Sequence, residues 1–254
     1  MNNPVLQVKD LGIDFGGLTA VNKLNMTVNK NEIVGLIGPN GAGKTTVFNM
    51  LTKVYDPSRG EILLNDESIN KYSTVQVNYK GIARTFQNIR LFNNLSVLDN
   101  VKAAMNHLNE YSVFDAFLHT RKYKDAEKKI NEDALELLKI FNLHEDKDLL
   151  ASSLPYGAQR RLEIARALAT KPELLLLDEP AAGMNPQETE ELMNTIRFIK
   201  DKFNISILLI EHDMSLVMNI CERIYVLNYG MLLAKGTPDE IKSNDKVIKA
   251  YLGE

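Results

Sequence analysis

Glu32-Ile33-Val34-Gly35-Leu36-Ile37 runs straight into Gly38-Pro39-Asn40-Gly41-Ala42-Gly43-Lys44-Thr45-Thr46, and this stretch decides the fold. The first six residues read as a buried strand. The next nine fit G-x-x-x-x-G-K-[ST], a loop that cradles phosphate groups. Residues 44–53 read as the helix that leaves it. Glycines let the backbone curl until its N–H groups point inward, through conformations closed to residues with a Cβ. Together with the first turn of the helix, those N–H groups make a nest for anionic oxygens. Lys44 adds a point charge within reach of β- and γ-phosphates, and Thr45 offers a hydroxyl to Mg2+. The predicted nucleotide contacts are thus Gly38, Pro39, Asn40, Gly41, Ala42, Gly43, Lys44, Thr45 and Thr46.

Bulk properties narrow the setting. A chain of 254 residues is long enough for one or two domains with a sizeable core. Its net charge of −3 leaves no electrostatic footprint for nucleic acid. The single cysteine, Cys221, excludes an internal disulfide and suits the cytoplasm. The longest apolar runs, residues 174–177 and 205–210, are far too short to cross a bilayer. The first ten residues lack the pattern of a signal peptide, so membrane association is expected to come through a partner.

Outward from the loop, the amino-terminal part is β-rich. Leu6-Gln7-Val8 starts a strand that Gly16-Gly17 interrupts, and Leu24, Met26 and Val28 alternate at strand period. Residues 60–66 read as a hairpin arm ending in a turn. Phe15 lies on the approach to the loop and is open to two readings, a core aromatic or a stacking platform for adenine. Residues 81–87 read as a strand that ends at Gln87. From residue 96 to 140 the period turns helical, with Ser96 and Asp99 as a cap and Ala134, Leu137, Leu138 and Phe141 on an inner face. Arg121, Lys122, Lys124, Lys128 and Lys129 form a basic run. Lipid headgroups are one reading of it; the interspersed Asp125 and Glu127 favour a solvated helix face.

Leu174-Leu175-Leu176-Leu177-Asp178-Glu179 is a wholly apolar strand with two carboxylates at its end, as expected of a central parallel strand. Pro186 opens a helix with Leu192, Ile196, Ile199 and Phe203 inside. Residues 205–210 form another buried strand, followed by Glu211-His212-Asp213. A hairpin turning at Asn228-Tyr229-Gly230 and two short helices close the chain. Three strand ends therefore converge. Asp178 is placed to hold Mg2+ directly or through water. Glu179 is placed to orient, or take a proton from, a water attacking a γ-phosphate. His212 is read either as structural or as a hydrogen-bond partner of that phosphate.

In this order Phe15, the phosphate loop, Gln87, residues 154–161, residues 174–179, residues 182–185 and His212 resemble the nucleotide-binding subunits of ATP-binding-cassette (ABC) transporters. The resemblance runs from about Leu6 to the end. It implies a single ABC ATPase domain over residues 1–254: an α/β P-loop core with a mostly parallel sheet, an antiparallel amino-terminal β subdomain, and a helical subdomain inserted at about 88–165. It makes ATP and Mg2+ the cofactors, Phe15 the adenine stacker, Glu179 and His212 the catalytic pair, and Thr45, Gln87 and Asp178 the metal ligands. Leu18-Thr19-Ala20-Val21-Asn22, Arg84-Thr85-Phe86-Gln87, Leu154-Pro155-Tyr156-Gly157, residues 180–186 and the ending Ala250-Tyr251-Leu252-Gly253-Glu254 look like the longer ATPase of branched-chain amino acid importers. The expected partners are a second, shorter ATPase subunit, two membrane permeases and, indirectly, a substrate-binding protein, with the chain on the cytoplasmic face of the membrane.

One motif departs from the family. The signature L-S-G-G-Q, which clamps nucleotide held by the opposite subunit, stands here as Leu154-Pro155-Tyr156-Gly157-Ala158, with Gln159 one place late. Pro155 has neither a hydroxyl nor an N–H to offer. Asn185 likewise replaces a usual aspartate. The rival readings are the ATPase of a lipopolysaccharide exporter, which usually keeps a fuller clamp; a soluble cassette ATPase of translation or repair, which usually carries two cassettes or a coiled-coil insertion; and a nucleotide-binding regulator without turnover, against which Glu179 and His212 argue.

Overall fold

A glycine pair turns the first strand back on itself. In the computed structural model, which describes residues 4–106 and 111–252, β1 (Pro4–Phe15) and β2 (Leu18–Asn29) pair antiparallel across Gly16-Gly17. Gly253 and Glu254 of the closing motif, and residues 107–110 of the helical stretch, lie outside the described residues. β3 (Ile33–Ile37) follows, buried at every position, and the glycine loop delivers the chain to α1 (Lys44–Leu51). β4 (Arg59–Leu64) and β5 (Glu67–Ser68) return to the first sheet, in the order β2-β1-β4-β5. Asn65 and Asp66 make the turn between them at φ 47° and 64°, a left-handed conformation that short polar side chains tolerate. α2 (Thr74–Tyr79) then leads to β6 (Ile82–Arg84).

β6 is shorter than the sequence predicts. It ends at Arg84, and Gln87 sits in a bend three residues beyond. Thr85 makes the last hydrogen bond toward the neighbouring strand, donating its N–H to the Leu176 carbonyl at 3.0 Å.

The chain forms two compact units, Asn88–Lys171 and the remainder. The Asn88–Lys171 unit holds α3 (Val97–Met105), α4 (Val113–Phe117), α5 (Arg121–Ile140) and α6 (Tyr156–Leu168). The helical stretch is therefore broken, with His119 at φ 48° between α4 and α5. Ser96 caps α3 by accepting the Asp99 N–H at 3.0 Å. α5 buries Ile130, Ala134, Leu137 and Leu138, the stripe its period implies. Asn100 is fully buried yet satisfied: its amide accepts from the Phe92 N–H and donates to the Phe92 and Ser96 carbonyls.

In the other unit, β7 (Leu174–Asp178), α7 (Pro186–Phe203), β8 (Ser206–Ile210), α8 (Met214–Ile220), β9 (Arg223–Asn228), β10 (Met231–Gly236), α9 (Pro238–Lys242) and α10 (Asp245–Leu252) complete the fold. The second sheet runs β10-β9-β3-β8-β7-β6, parallel except for β10. β3, β7 and β8 are buried at all five positions, the pattern of strands covered on both faces. On α7 the inner stripe is Leu192, Ile196 and Ile199. Phe203 does not join it: the last turn leaves it 37% exposed, against the Lys202 ammonium.

Candidate active site

β3, β7 and β8 are neighbours in one parallel sheet, so the segments after their carboxyl ends share one rim. There the phosphate loop, Gln87, Glu179 and His212 line one pocket of about 610 Å³, walled on another side by residues 18–20 and Tyr229.

The loop's shape rests on glycines that nothing else can replace. A Cβ on Gly38 would lie 2.1 Å from the Leu227 carbonyl oxygen, and one on Gly43 would lie 2.9 Å from that of Ala20. Both also take positive φ, 150° and 101°. Long-range bonds hold the loop in place. Gly230 donates to the Ala42 carbonyl at 3.0 Å and accepts from the Asn22 N–H at 2.8 Å, so the β9–β10 turn and β2 are tied to it. Lys44 opens α1 and is buried; its Nζ donates to the Gly38 and Pro39 carbonyls at 2.7 and 3.0 Å. Burial pushes the Lys44 ammonium below the usual lysine range, while Glu179 and Asp178 pull the other way. An ammonium at the centre of a loop built for anions is what phosphate binding requires.

Glu179 is the hub of the opposite wall. Its backbone is left-handed at φ 50°, and its N–H donates to the Ile210 carbonyl at 2.9 Å. One carboxylate oxygen meets His212 Nε2 at 2.9 Å, and the other accepts from Gln87 Nε2 at 3.1 Å. A carboxylate aimed by two flanking side chains and facing a phosphate-binding loop can orient a water molecule. Thr45 and Thr46 line the same pocket, so hydroxyl and carboxylate oxygens, the hard donors that Mg2+ takes, face the phosphate position.

Asp178 stands back from the pocket wall. It is buried, its Oδ2 accepts from Arg84 Nη2 at 2.7 Å, and its N–H donates to Thr85 Oγ1 at 3.3 Å. Arg84 in turn donates to Asn49 Oδ1 of α1 at 2.7 Å and lies over the rings of Phe48 and Phe86. Phe15 is not a core aromatic. It is 44% exposed at the end of β1, edge-on to Tyr55 with ring centroids 5.3 Å apart, and outside the pocket lining.

The signature segment begins α6. Pro155 is its N-cap and supplies no side-chain acceptor; Tyr156 is exposed, and Gly157 and Ala158 are buried. Gln159 donates its side-chain amide to the Leu154 carbonyl at 2.8 Å, bracing its own helix start. Further along α6, Arg160 and Glu163 form a buried pair at 2.9 Å.

Four groups at or behind the site escape a reading of the sequence. Arg84 is legible as the first residue of the Arg84–Gln87 motif, but nothing in the sequence pairs it with Asp178. Asn49 looks like an ordinary helix residue. Tyr229 is legible only as a turn residue, yet it walls the pocket. Glu211 is legible at the rim, but what it does there is not. Its carboxylate accepts the N–H groups of Ala181 at 2.8 Å and His212 at 3.0 Å, fastening the segment after Glu179 to the end of β8. Burial raises the Glu211 carboxyl above the usual range, against those N–H donors.

Comparison with known proteins agrees with this geometry. The ABC transporter family model matches residues 21–182, and a model of branched-chain amino acid ATP-binding cassette transporters matches residues 231–254. The chain is 48% identical, over the full length of both, to the high-affinity branched-chain amino acid transport ATP-binding protein LivG of Escherichia coli. It is 35% identical to the lipopolysaccharide export system ATP-binding protein LptB of the same organism, covering 98% and 97% of the two chains. The fold superposes with a TM-score of 0.85 on a crystal structure of the ADP conformation of an ATP-binding cassette of an ABC transporter, at 28% identity and 99% coverage of each chain.

Proposed function

The chain belongs to the ATP-binding subunits of ABC transporters, and we infer that within this family it is the ATP-hydrolysing subunit of a branched-chain amino acid importer. The convergence of the Lys44 loop, Gln87, Glu179 and His212 on one pocket carries the catalytic half of that reading. The carboxyl-terminal match and the 48% full-length identity support the substrate class over lipopolysaccharide export, where identity falls to 35%.

In this reading Lys44 and the loop N–H groups neutralise the β- and γ-phosphates of ATP. Thr45 and Gln87 would hold Mg2+, with Asp178 behind them as a further carboxylate for the ion, which would supply charge neutralisation at the phosphate oxygens. Glu179 orients the attacking water and accepts its proton, while His212 fixes the carboxylate and senses the γ-phosphate. Phe15, solvent-accessible at the end of β1, takes the adenine ring. α6 presents Gly157 and its first-turn N–H groups to nucleotide on a second ATPase subunit, and that subunit's signature completes the site at Lys44. Permeases hold the pair at the cytoplasmic membrane face; among the described residues no helix is long and apolar enough to cross a bilayer.

The test is Glu179→Gln in the reconstituted transporter. An amide cannot take the proton, so turnover is expected to fall roughly 10²- to 10⁴-fold with ATP binding retained. Hydrolysis at the unmodified rate would remove Glu179 as base.

A further inference from the structure

α4 has no buried residue, although four of the six residues from Val113 to Leu118 are large and apolar. Val113, Phe114, Phe117 and Leu118 are 85%, 79%, 81% and 67% exposed. Spaced i, i+1, i+4, i+5, they share one face of the turn. A contiguous exposed apolar patch of this kind marks a contact surface. The stub is not loose: Ser112 and Asp115 form a capping box, and Thr120 donates to the same aspartate at 2.9 Å. Below it, Tyr111 packs edge-on against Tyr123 and donates to Glu127 at 3.0 Å.

Charge identifies what covers the patch. α5 starts three residues later with Arg121, Lys122 and Lys124, and has no acidic residue in its first turn. Cations at a helix amino end oppose the helix dipole, so this placement does not serve the helix itself. Among the described residues, three nearby carboxylates each have a partner within the fold. Asp115 caps α4, Glu127 holds Tyr111 and Lys102, and Asp125 faces Arg121 at 3.7 Å. Exposed Lys122, Lys124 and Lys129 form no salt bridge among the described residues, Lys122 giving Asp115 only a longer-range attraction. The result is an exposed apolar face followed by exposed Lys122 and Lys124.

We propose that α4 and the start of α5 contact an anionic lipid bilayer, with Phe114, Phe117, Val113 and Leu118 entering the headgroup region and Lys122, Lys124 and Arg121 meeting lipid phosphates. This pairing of apolar insertion with basic flanks is the physics of interfacial binding. It does not depend on the reading of the nucleotide pocket, because the contact is measured without ATP.

The chain has no tryptophan, so Phe114→Trp places a single fluorophore on the apolar face. With vesicles of phosphatidylcholine and phosphatidylglycerol, the full chain is expected to sediment with lipid and the new tryptophan to shift to shorter wavelength. Binding to neutral phosphatidylcholine should be at least tenfold weaker. Lys122→Glu with Lys124→Glu should lower binding to anionic vesicles at least tenfold, and so should Phe114→Ser with Phe117→Ser, while ATPase activity and thermal midpoint stay unchanged. Equal binding to both vesicle types, or charge reversal without effect, would overturn the proposal. So would a photocrosslinker at position 117 that labels a permease instead of lipid in the assembled transporter.

Discussion

α1 and α6 start differently from the other helices. α2, α3, α4, α5, α7, α8 and α9 each begin on Ser, Thr, Asn or Asp whose side chain accepts a first-turn N–H. α1 begins on Gly43 and α6 on Pro155, neither with a side-chain cap. A cap stabilises a helix by about 1 kcal/mol, so both helices forgo that and leave their amino ends open to another acceptor. Anions bind such ends. The two also differ from each other. α1 is held from outside, through Asn49 and Arg84 to Asp178 on β7. α6 is held inside the Asn88–Lys171 unit, by Arg160 and Glu163 one turn apart and by Glu163 accepting the Arg90 N–H at 3.2 Å. An uncapped helix needs anchorage elsewhere, and a helix tied to neighbouring strands keeps its open end in register with them.

The largest expected effect breaks the anchor of α1. Arg84 and Asp178 have side chains only 5% and 2% exposed. Removing one partner leaves a buried charge uncompensated, so Arg84→Gln should destabilise the chain by about 3–5 kcal/mol in urea unfolding. A loss below about 1 kcal/mol would mean that the pair contributes no more than a surface ion pair.

Lys44→Ala acts on the open end itself. A charged hydrogen bond contributes about 1.5–3 kcal/mol, so MgATP affinity should drop roughly ten- to a hundredfold in isothermal titration. Unchanged affinity would separate α1 from phosphate binding and erase the contrast with the capped helices.

Pro155→Ser gives α6 the cap it lacks, and the smallest change in stability. The new cap adds about 1 kcal/mol, while loss of proline's restraint on the unfolded chain removes about 0.4–1 kcal/mol. The thermal midpoint should therefore move by no more than about 2 °C. Any gain in turnover by the assembled pair then reports the restored hydroxyl, and an unchanged rate would mean that α6 clamps through its N–H groups alone.

Local signals carried much of the fold. Gly38 to Thr46 was legible because backbone freedom, charge and hydroxyl must follow one another at set spacing. The apolar runs of β3, β7 and β8 were legible because burial on both faces leaves no polar position. Period alone failed where tertiary contact decides. The end of β6 at Arg84 depends on what β7 offers, and Phe15 was open to a core or an adenine-stacking reading.

The sequence by itself determined that a phosphate loop follows a buried strand, that two carboxylates and a histidine end two others, and that α6 starts on a proline, because each is a matter of residue type at fixed spacing. Only the tertiary structure decided how the carboxylates divide, Asp178 turning back to Arg84 and Glu179 forward between Gln87 and His212. It also set the tie from Gly230 to Ala42 and the exposure of α4. The reason is physical: hydrogen-bond partners far apart in the chain leave no periodic trace in it, and a side chain's direction is chosen by the neighbours that the sheet order brings to it.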